Sequence, residues 1–248
     1  MSRAGESIAS RWQSVQREIE IALSRRPKNW NHPVKVLAVS KGQPVETILE
    51  AVAQGLLCFG ENYVQEALAK QERLLHEVPV DVTQLEWHFI GHLQRNKVSR
   101  VIQRFHLIQS IDRPSLVVEL ERQMAKANLN LSPKSQRVLI EVNLSGEPSK
   151  AGVSPQDLES LAQQVKDSPY LILDGLMTMP PHQDSAENSR PYFKRLAELK
   201  SLLEVKFHCS LPHLSMGTSQ DYAVAIEEGA SIVRLGSILL GERQGRQV

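Results

Sequence analysis

The sequence is poor in cysteine, and the two cysteines that it contains are not spaced for cross-linking. Cys58 and Cys209 are the only cysteines among 248 residues. Two cysteines make no disulfide framework, and no paired spacing typical of a metal site is present. Cys58 lies in the apolar run 56–59, which favours a small buried hydrophobic residue over a reactive thiol. We therefore expect neither disulfides nor a bound metal.

Net charge and long apolar segments are also lacking. The 29 basic and 28 acidic side chains leave a formal charge of +1. This balance gives no electrostatic reason to expect nucleic acid or a membrane surface as partner. No stretch approaches the ~20 apolar residues of a membrane span, and residues 1–10 lack the apolar core of a secretory signal. We expect a cytoplasmic protein.

Short apolar runs alternate with amphipathic segments along most of the chain. The runs are mostly continuous rather than alternating, as in strands buried on both faces of a parallel sheet. Segments between them carry apolar residues at helical spacing, for example Pro44–Gln54 and Pro155–Lys166. Pro114 and Pro155 suit first helical turns. The eight runs are Val34–Val39, Leu56–Gly60, Glu86–Ile90, Phe105–Gln109, Arg137–Asn143, Leu171–Met177, Leu211–Met216 and Ser231–Leu235.

Eight strand–helix units of this length predict an α/β fold, a single (β/α)8 TIM barrel in which residues 1–248 form one domain. Only about a dozen residues follow the last run, too few for a full eighth outer helix. An amphipathic N-terminal helix, with Ile8, Trp12 and Val15 on one face, could take that place in the ring. The polar segment Leu129–Gln136 is predicted to be a loop.

Lys41 follows the first apolar run directly. In such barrels, sites form at the carboxyl ends of the strands, so its amine would lie over the barrel mouth. Partial burial lowers the pKa of a lysine and frees its lone pair for reaction with an aldehyde. By itself, however, a lysine at a strand end is more often solvated.

Glycine next to a hydroxyl residue follows each of the last two runs, as Gly217-Thr218-Ser219 and Gly236-Ser237. Many barrels bind phosphate at this position, because glycine admits the oxygens and N–H groups bind the charge. Together with Lys41, the two motifs point to a phosphorylated aldehyde as ligand.

Arg234 interrupts the apolar run Ile232–Leu235. A charge inside a barrel strand costs several kcal/mol unless it is paired or hydrogen-bonded. Either Arg234 forms an ion pair with a neighbouring carboxylate, or it donates to a ring nitrogen of the ligand. A pyridine nitrogen facing arginine would stay unprotonated, and the ring would be a weak electron sink.

The remaining polar candidates have ordinary structural interpretations. We interpret His88 as a hydrogen-bonded core histidine, and His182 and His213 lack a paired metal spacing. The basic residues Arg95, Lys97, Arg100 and Arg104 form a solvated helix face.

Six motifs in order resemble the pyridoxal phosphate homeostasis protein family (YggS/PROSC), and the resemblance runs from about Val34 to Gly241. No single motif is specific, but the set is. The motifs are Val39–Lys41, Gly60–Glu66, Trp87–Lys97, Gly175–Pro180, Leu214–Ser219 and Val233–Gly236.

The resemblance implies a fold-type III barrel similar to the N-terminal domain of alanine racemase, with pyridoxal 5′-phosphate (PLP) bound to Lys41 as an internal aldimine. It implies that Asn62 lies beside the ring and that Arg234 faces the pyridine nitrogen. Ser219, Gly236 and Ser237 would bind the phosphate. Met177, Ser215 and Met216 would lie near the cofactor.

The sequence departs from the family pattern at two places. Ser237 replaces the common threonine and keeps the hydroxyl, so phosphate binding is unaffected. Gly42-Gln43 replaces a threonine followed by lysine or histidine, which could loosen the loop after the first strand.

The family resemblance implies a monomeric protein of vitamin B6 homeostasis and of amino-acid and keto-acid balance, without known catalysis. Apo-forms of PLP enzymes are possible recipients of the cofactor. The alternative is a small amino-acid racemase, but racemisation needs a second acid/base on the opposite cofactor face. A third possibility is a Schiff-base aldolase that uses Lys41 on a sugar phosphate.

Overall fold

The structure, a computed structural model, describes residues 6–77, 82–128, 135–147 and 150–242. Its eight parallel strands close into a barrel in which sequence neighbours pair and the last strand pairs with the first. The predicted (β/α)8 barrel is thereby confirmed. The strands are β1 (Lys35–Val39), β2 (Cys58–Glu61), β3 (Glu86–Phe89), β4 (Leu107–Ile111), β5 (Gln136–Glu141), β6 (Leu171–Met177), β7 (His213–Thr218) and β8 (Ile232–Leu235).

Helices follow the strands on the outside of the barrel. Two short 3₁₀ turns, Arg95–Lys97 and Ala186–Ser189, precede the fourth and seventh helices. The helices are α1 (Ile8–Arg25), α2 (Val45–Ala53), α3 (Val64–Glu77), α4 (Val98–Val101), α5 (Pro114–Asn128), α6 (Leu158–Asp167), α7 (Arg190–Phe207), α8 (Tyr222–Glu227) and α9 (Ser237–Leu240).

The strand limits differ from the predicted runs by a few residues, most clearly at the amino ends. Leu56, Phe105 and Leu211 precede β2, β4 and β7 instead of belonging to them. Each of these side chains is nevertheless buried. Apolar patterning reports burial, whereas a strand is defined by hydrogen bonds to its neighbours, so the two boundaries need not coincide.

The N-terminal helix α1 fills the gap left by the very short α9. It packs against α8, α9 and α2, which is the position of an outer helix between the last and first units. The Tyr222 hydroxyl donates to Glu18 at 2.5 Å, and Arg11 Nη1 donates to the Leu239 carbonyl at 3.5 Å. The predicted placement of this helix in the ring is confirmed.

Two details of the helix and loop predictions need correction or qualification. Pro114 is the first residue of α5, as expected, but Pro155 lies in a turn and α6 begins only at Leu158. The Ser154 hydroxyl binds Asp157 at 2.7 Å and stabilises that turn ahead of the helix. Of the predicted loop 129–136, residues 129–134 lie outside the described residues, and Gln136 already belongs to β5.

Apolar side chains form two separate cores. The larger core lies between the sheet and the helices. The smaller one lies inside the barrel and takes one residue from each of six strands: Leu37, Cys58, Leu107, Leu139, Met177 and Ile232.

Among the described residues, no helix has the length and apolarity needed to cross a membrane. One domain over residues 1–248 stays a prediction.

Candidate functional site

A cavity of about 450 Å³ opens at the carboxyl ends of the strands. This volume is in the range of small-molecule and cofactor sites. All six residues predicted to contact the cofactor line it: Lys41, Asn62, Ser219, Arg234, Gly236 and Ser237. The barrel therefore brings together side chains that are separated by almost 200 positions in the sequence.

Lys41 lies two residues beyond the end of β1 and is half-buried. Its neighbour Ser40 continues the sheet, because the Ser40 N–H donates to the Gly60 carbonyl at 3.0 Å. The chain then turns, and the Gln43 N–H donates back to the Ser40 carbonyl at 2.9 Å. Gly42 has a φ of +70° in this turn, a left-handed conformation that glycine adopts at little steric cost. The departure from the family pattern at Gly42 thus matches the backbone geometry.

The predicted phosphate-binding residues lie directly after β7 and β8, the two strands expected. The Gly236 N–H donates to the Ser219 hydroxyl oxygen at a long distance of 3.3 Å. Ser237 begins α9 and is exposed. Hydroxyl and N–H groups gathered at this edge are the donors that an anionic phosphate oxygen accepts from.

Arg234 is buried in the barrel, with only 4% of its surface exposed. Its Nη1 donates to the Ser215 hydroxyl at 2.8 Å, and its Nη2 donates to the Thr178 carbonyl at 2.8 Å. The Met179 thioether lies 3.0 Å from Nη2. These partners are neutral, and no described carboxylate forms an ion pair with the guanidinium. Hydrogen bonds, not the ion pair considered as an alternative, satisfy this buried charge.

Burial lowers the pKa of Arg234 to about 10, although Glu141 and Asp221 act in the opposite direction. A group with this pKa remains protonated at neutral pH. Arg234 is consequently a fixed hydrogen-bond donor at the wall of the cavity.

A chain of hydrogen bonds across the barrel interior supports Arg234. The Ser215 hydroxyl donates to Gln109 Oε1 at 2.6 Å, and Gln109 Nε2 donates to His88 Nδ1 at 2.8 Å. Since Ser215 gives its one proton to Gln109, it accepts from Arg234. His88 is a hydrogen-bonded core residue, as predicted, and burial lowers its pKa.

Asn62 contributes a polar atom without a protein partner. Its side-chain Oδ1 is buried and has no hydrogen-bond partner among the described residues. Such an atom is costly unless something binds it. Other atoms of Asn62 line the cavity.

The three residues expected near the cofactor lie at three different places in the structure. Met177 lines the cavity. Ser215 lies beneath it and acts through Arg234. Met216 is fully buried in the core between the sheet and the helices, because alternate residues of a strand point to opposite faces of the sheet.

Sequence reasoning missed Glu141, the last residue of β5, which also lines the cavity. Burial, with a further contribution from the nearby Asp112, raises the pKa of Glu141 to about 7, while Arg234 acts to lower it. The signal was present, since a glutamate ends an apolar strand just as Lys41 follows one.

Potential metal ligands meet at the opposite end of the barrel. Cys58, Glu86 and His88 bring their ligand atoms within 4.8 Å of one another. The Glu86 carboxylate already forms an ion pair with Lys35, and burial raises the pKa of Cys58 to about 12. The burial of Cys58 agrees with its interpretation as a small buried residue.

Comparison with known proteins identifies the class of the fold. A family model described as alanine racemase, N-terminal domain, matches residues 23–244. The alanine racemase of Corynebacterium glutamicum has a TM-score of 0.62 at 16% identity, over 97% of this chain and 62% of the racemase chain. That likeness concerns the fold alone. The class is therefore a barrel of the alanine racemase N-terminal type.

More similar relatives define the family. The pyridoxal phosphate homeostasis protein of Aquifex aeolicus is 44% identical over 238 residues, covering 96% of this chain and 99% of the relative. The structure of PipY from Synechococcus elongatus with PLP bound has a TM-score of 0.79 at 32% identity, over 95% of this chain and 100% of PipY. The chain belongs to the pyridoxal phosphate homeostasis protein family, which confirms the resemblance.

Glu141 predicts a distinct pH dependence of stability. Its pKa is about 7 in the folded protein against an ordinary value of 4.5. Between these two values the folded protein binds more protons than the unfolded chain. The free energy of unfolding therefore falls as the pH rises from 4.5 to about 7. We expect Glu141→Gln to gain stability relative to the wild type by roughly 3 kcal/mol across this window.

Urea unfolding at a series of pH values measures this difference. Glu20→Gln, on the exposed face of α1, supplies the control curve. Parallel curves for Glu141→Gln and the wild type would contradict the assignment of the raised pKa to Glu141.

Proposed function

We propose that this protein binds PLP covalently through Lys41 and serves vitamin B6 homeostasis and amino-acid and keto-acid balance without turning over a substrate. The proposal rests on one observation. The same cavity is lined by Lys41, Arg234, Ser219 and Gly236. The PipY structure with PLP bound, from a protein 32% identical to this chain, supports it.

The residues of the cavity fit this cofactor in kind. They offer an amine, a permanent cation, hydroxyl and N–H donors, and the side chain of Asn62. PLP supplies an aldehyde that a primary amine can attack, together with a pyridine nitrogen and an anionic phosphate. Lys41 would hold the aldehyde carbon, and Ser219, Gly236 and Ser237 would hold the phosphate.

Arg234 would keep the pyridine nitrogen of the cofactor unprotonated. It retains its proton at neutral pH and is fixed by Ser215 and Thr178, so it can donate to a pyridine nitrogen but cannot accept from one. An unprotonated ring nitrogen withdraws electrons weakly, which disfavours carbanion chemistry. The contacts of Arg234 therefore favour binding of the cofactor without catalysis.

The racemase alternative is less well supported. Racemisation needs a second acid/base across the cofactor from the lysine. Glu141 has a pKa suited to proton transfer, but the curated relatives carry the name of homeostasis proteins. We propose a non-catalytic, monomeric protein of the cytoplasm, where two free cysteines would stay reduced.

Loss of the lysine amine tests the cofactor assignment. We expect the wild type to stay yellow after unbound PLP is removed, and Lys41→Ala to lose this visible absorbance because the cavity no longer contains the amine that reacts with the aldehyde. Lys194→Ala, which removes an exposed lysine of α7, should keep the colour.

A wild type that stays colourless with added PLP would overturn the proposal and favour the sugar-phosphate aldolase. Colour retained in Lys41→Ala would assign the amine to another lysine.

The proposed phosphate-binding residues Ser219, Gly236 and Ser237 predict that a substitution among them weakens binding only of ligands that carry a phosphate. Ser219→Ala removes a hydroxyl that can donate to an anionic oxygen, an interaction that contributes roughly 1.5–3 kcal/mol. We expect binding of PLP to weaken by about tenfold or more, and binding of pyridoxal, which lacks the phosphate, to stay the same. Titration calorimetry measures both, with Ser201→Ala on α7 as the matched control. Equal losses for both ligands would place the hydroxyl away from the phosphate.

Delivery to recipient enzymes is tested by transfer. We expect the loaded protein to activate an apo-form of a PLP enzyme even when a phosphatase destroys free PLP, since direct transfer bypasses solution. Free PLP at the same concentration is the control. Activation that disappears with the phosphatase would reduce the role to buffering.

A further inference from the structure

A cluster of buried charge lies directly behind Lys41. Lys70 of α3 keeps only 8% of its side chain exposed, and its Nζ contacts Glu61 Oε1 at 2.7 Å and Glu66 Oε1 at 2.6 Å. Its third contact is the Ser40 carbonyl oxygen, at 2.6 Å. An ammonium group has three donors, and these three acceptors use them all.

The two carboxylates also bind the residues on either side of Lys41. The Ser40 hydroxyl donates to Glu61 Oε1 at 2.7 Å, and the Gly42 N–H donates to Glu66 Oε1 at 2.5 Å. Lys70 therefore connects the residue before Lys41 with the residue after it. The cluster, defined by Lys70, Glu61 and Glu66, anchors this stretch of backbone to α3 and β2.

Stability alone gives little reason for such a cluster. Buried ion pairs often contribute nothing net, because desolvation offsets their attraction. Burial raises the pKa of Glu61 even though Lys70 and Ser40 act against it, so burial disfavours the charged form of this carboxylate. The contacts do, however, restrict a segment that has a glycine at its turn, and glycine is the most flexible residue.

We infer that Lys70 is a positioning residue: through Glu61 and Glu66 it fixes the backbone on both sides of Lys41 and so directs the amine into the cavity. This inference rests on the proposed function, in which that amine binds PLP. An amine held in place reacts faster and more completely than one on a mobile loop.

The test separates positioning from general folding by using two ligands. Pyridoxamine phosphate has an amine where PLP has its aldehyde, so it cannot link to Lys41 but can occupy the rest of the cavity. We expect Lys70→Met to reduce affinity for PLP and the rate of colour formation by about tenfold. Affinity for pyridoxamine phosphate, measured by calorimetry, should stay within about twofold of the wild type.

Two further variants complete the design. Lys70→Arg retains the charge and the donors and should restore most of the colour formation. Lys200→Met is the matched control, because Lys200 is another largely buried lysine, 11% exposed, paired with a glutamate four residues later at 2.9 Å. It lies on α7, away from Lys41, and should leave both ligands unaffected.

Each outcome decides the inference. Unchanged PLP binding in Lys70→Met overturns it, and so does an equal loss for both ligands, which would indicate a purely structural role. A wild type that never colours overturns the proposed function itself, which is a different result. If Lys70→Met does not fold, Glu66→Ala, whose side chain is partly exposed, is judged by the same two-ligand comparison.

Discussion

The pairing of β8 with β1 is the constraint on which the rest of the structure depends. Leu37 lies opposite Arg234, and Ala38 lies opposite Leu235. This register brings the segment after β1, which carries Lys41, next to Gly236 and Ser237. An open sheet of the same strands would leave the first and last strands at opposite edges. Lys41 would then lie far from Gly236 and Ser237. Closure of the barrel is therefore also the assembly of the site.

Closure creates an interior that is only partly apolar. The apolar cluster from six strands occupies one part of it, and the chain from His88 through Gln109 and Ser215 to Arg234 occupies another. A half-satisfied polar network inside a core is costly, whereas a complete one specifies a single arrangement. In this protein the network is complete from the barrel interior to the cavity, so Arg234 has one defined orientation.

Several features were predicted from residues alone for local reasons. Continuous apolar runs indicate strands buried on both faces, and eight of them in sequence led to the barrel. A proline at the start of α5 and the apolar face of α1 are likewise readable from neighbouring positions. Strand limits were less accurate, because Phe105 and Leu211 are buried without belonging to a ladder. Glu141 was overlooked although the same argument that singled out Lys41 applies to it.

The sequence by itself determined the order of strands and helices and the residue types at the strand ends, including Lys41 and the charge at Arg234. These are properties of periodicity and of immediate neighbours. Only the tertiary structure decided which polar groups meet. Ser215 and Gln109 are 106 positions apart and bond at 2.6 Å, and Lys70 reaches back 30 positions to the Ser40 carbonyl. Such contacts depend on the register and closure of the whole sheet, which no local pattern encodes.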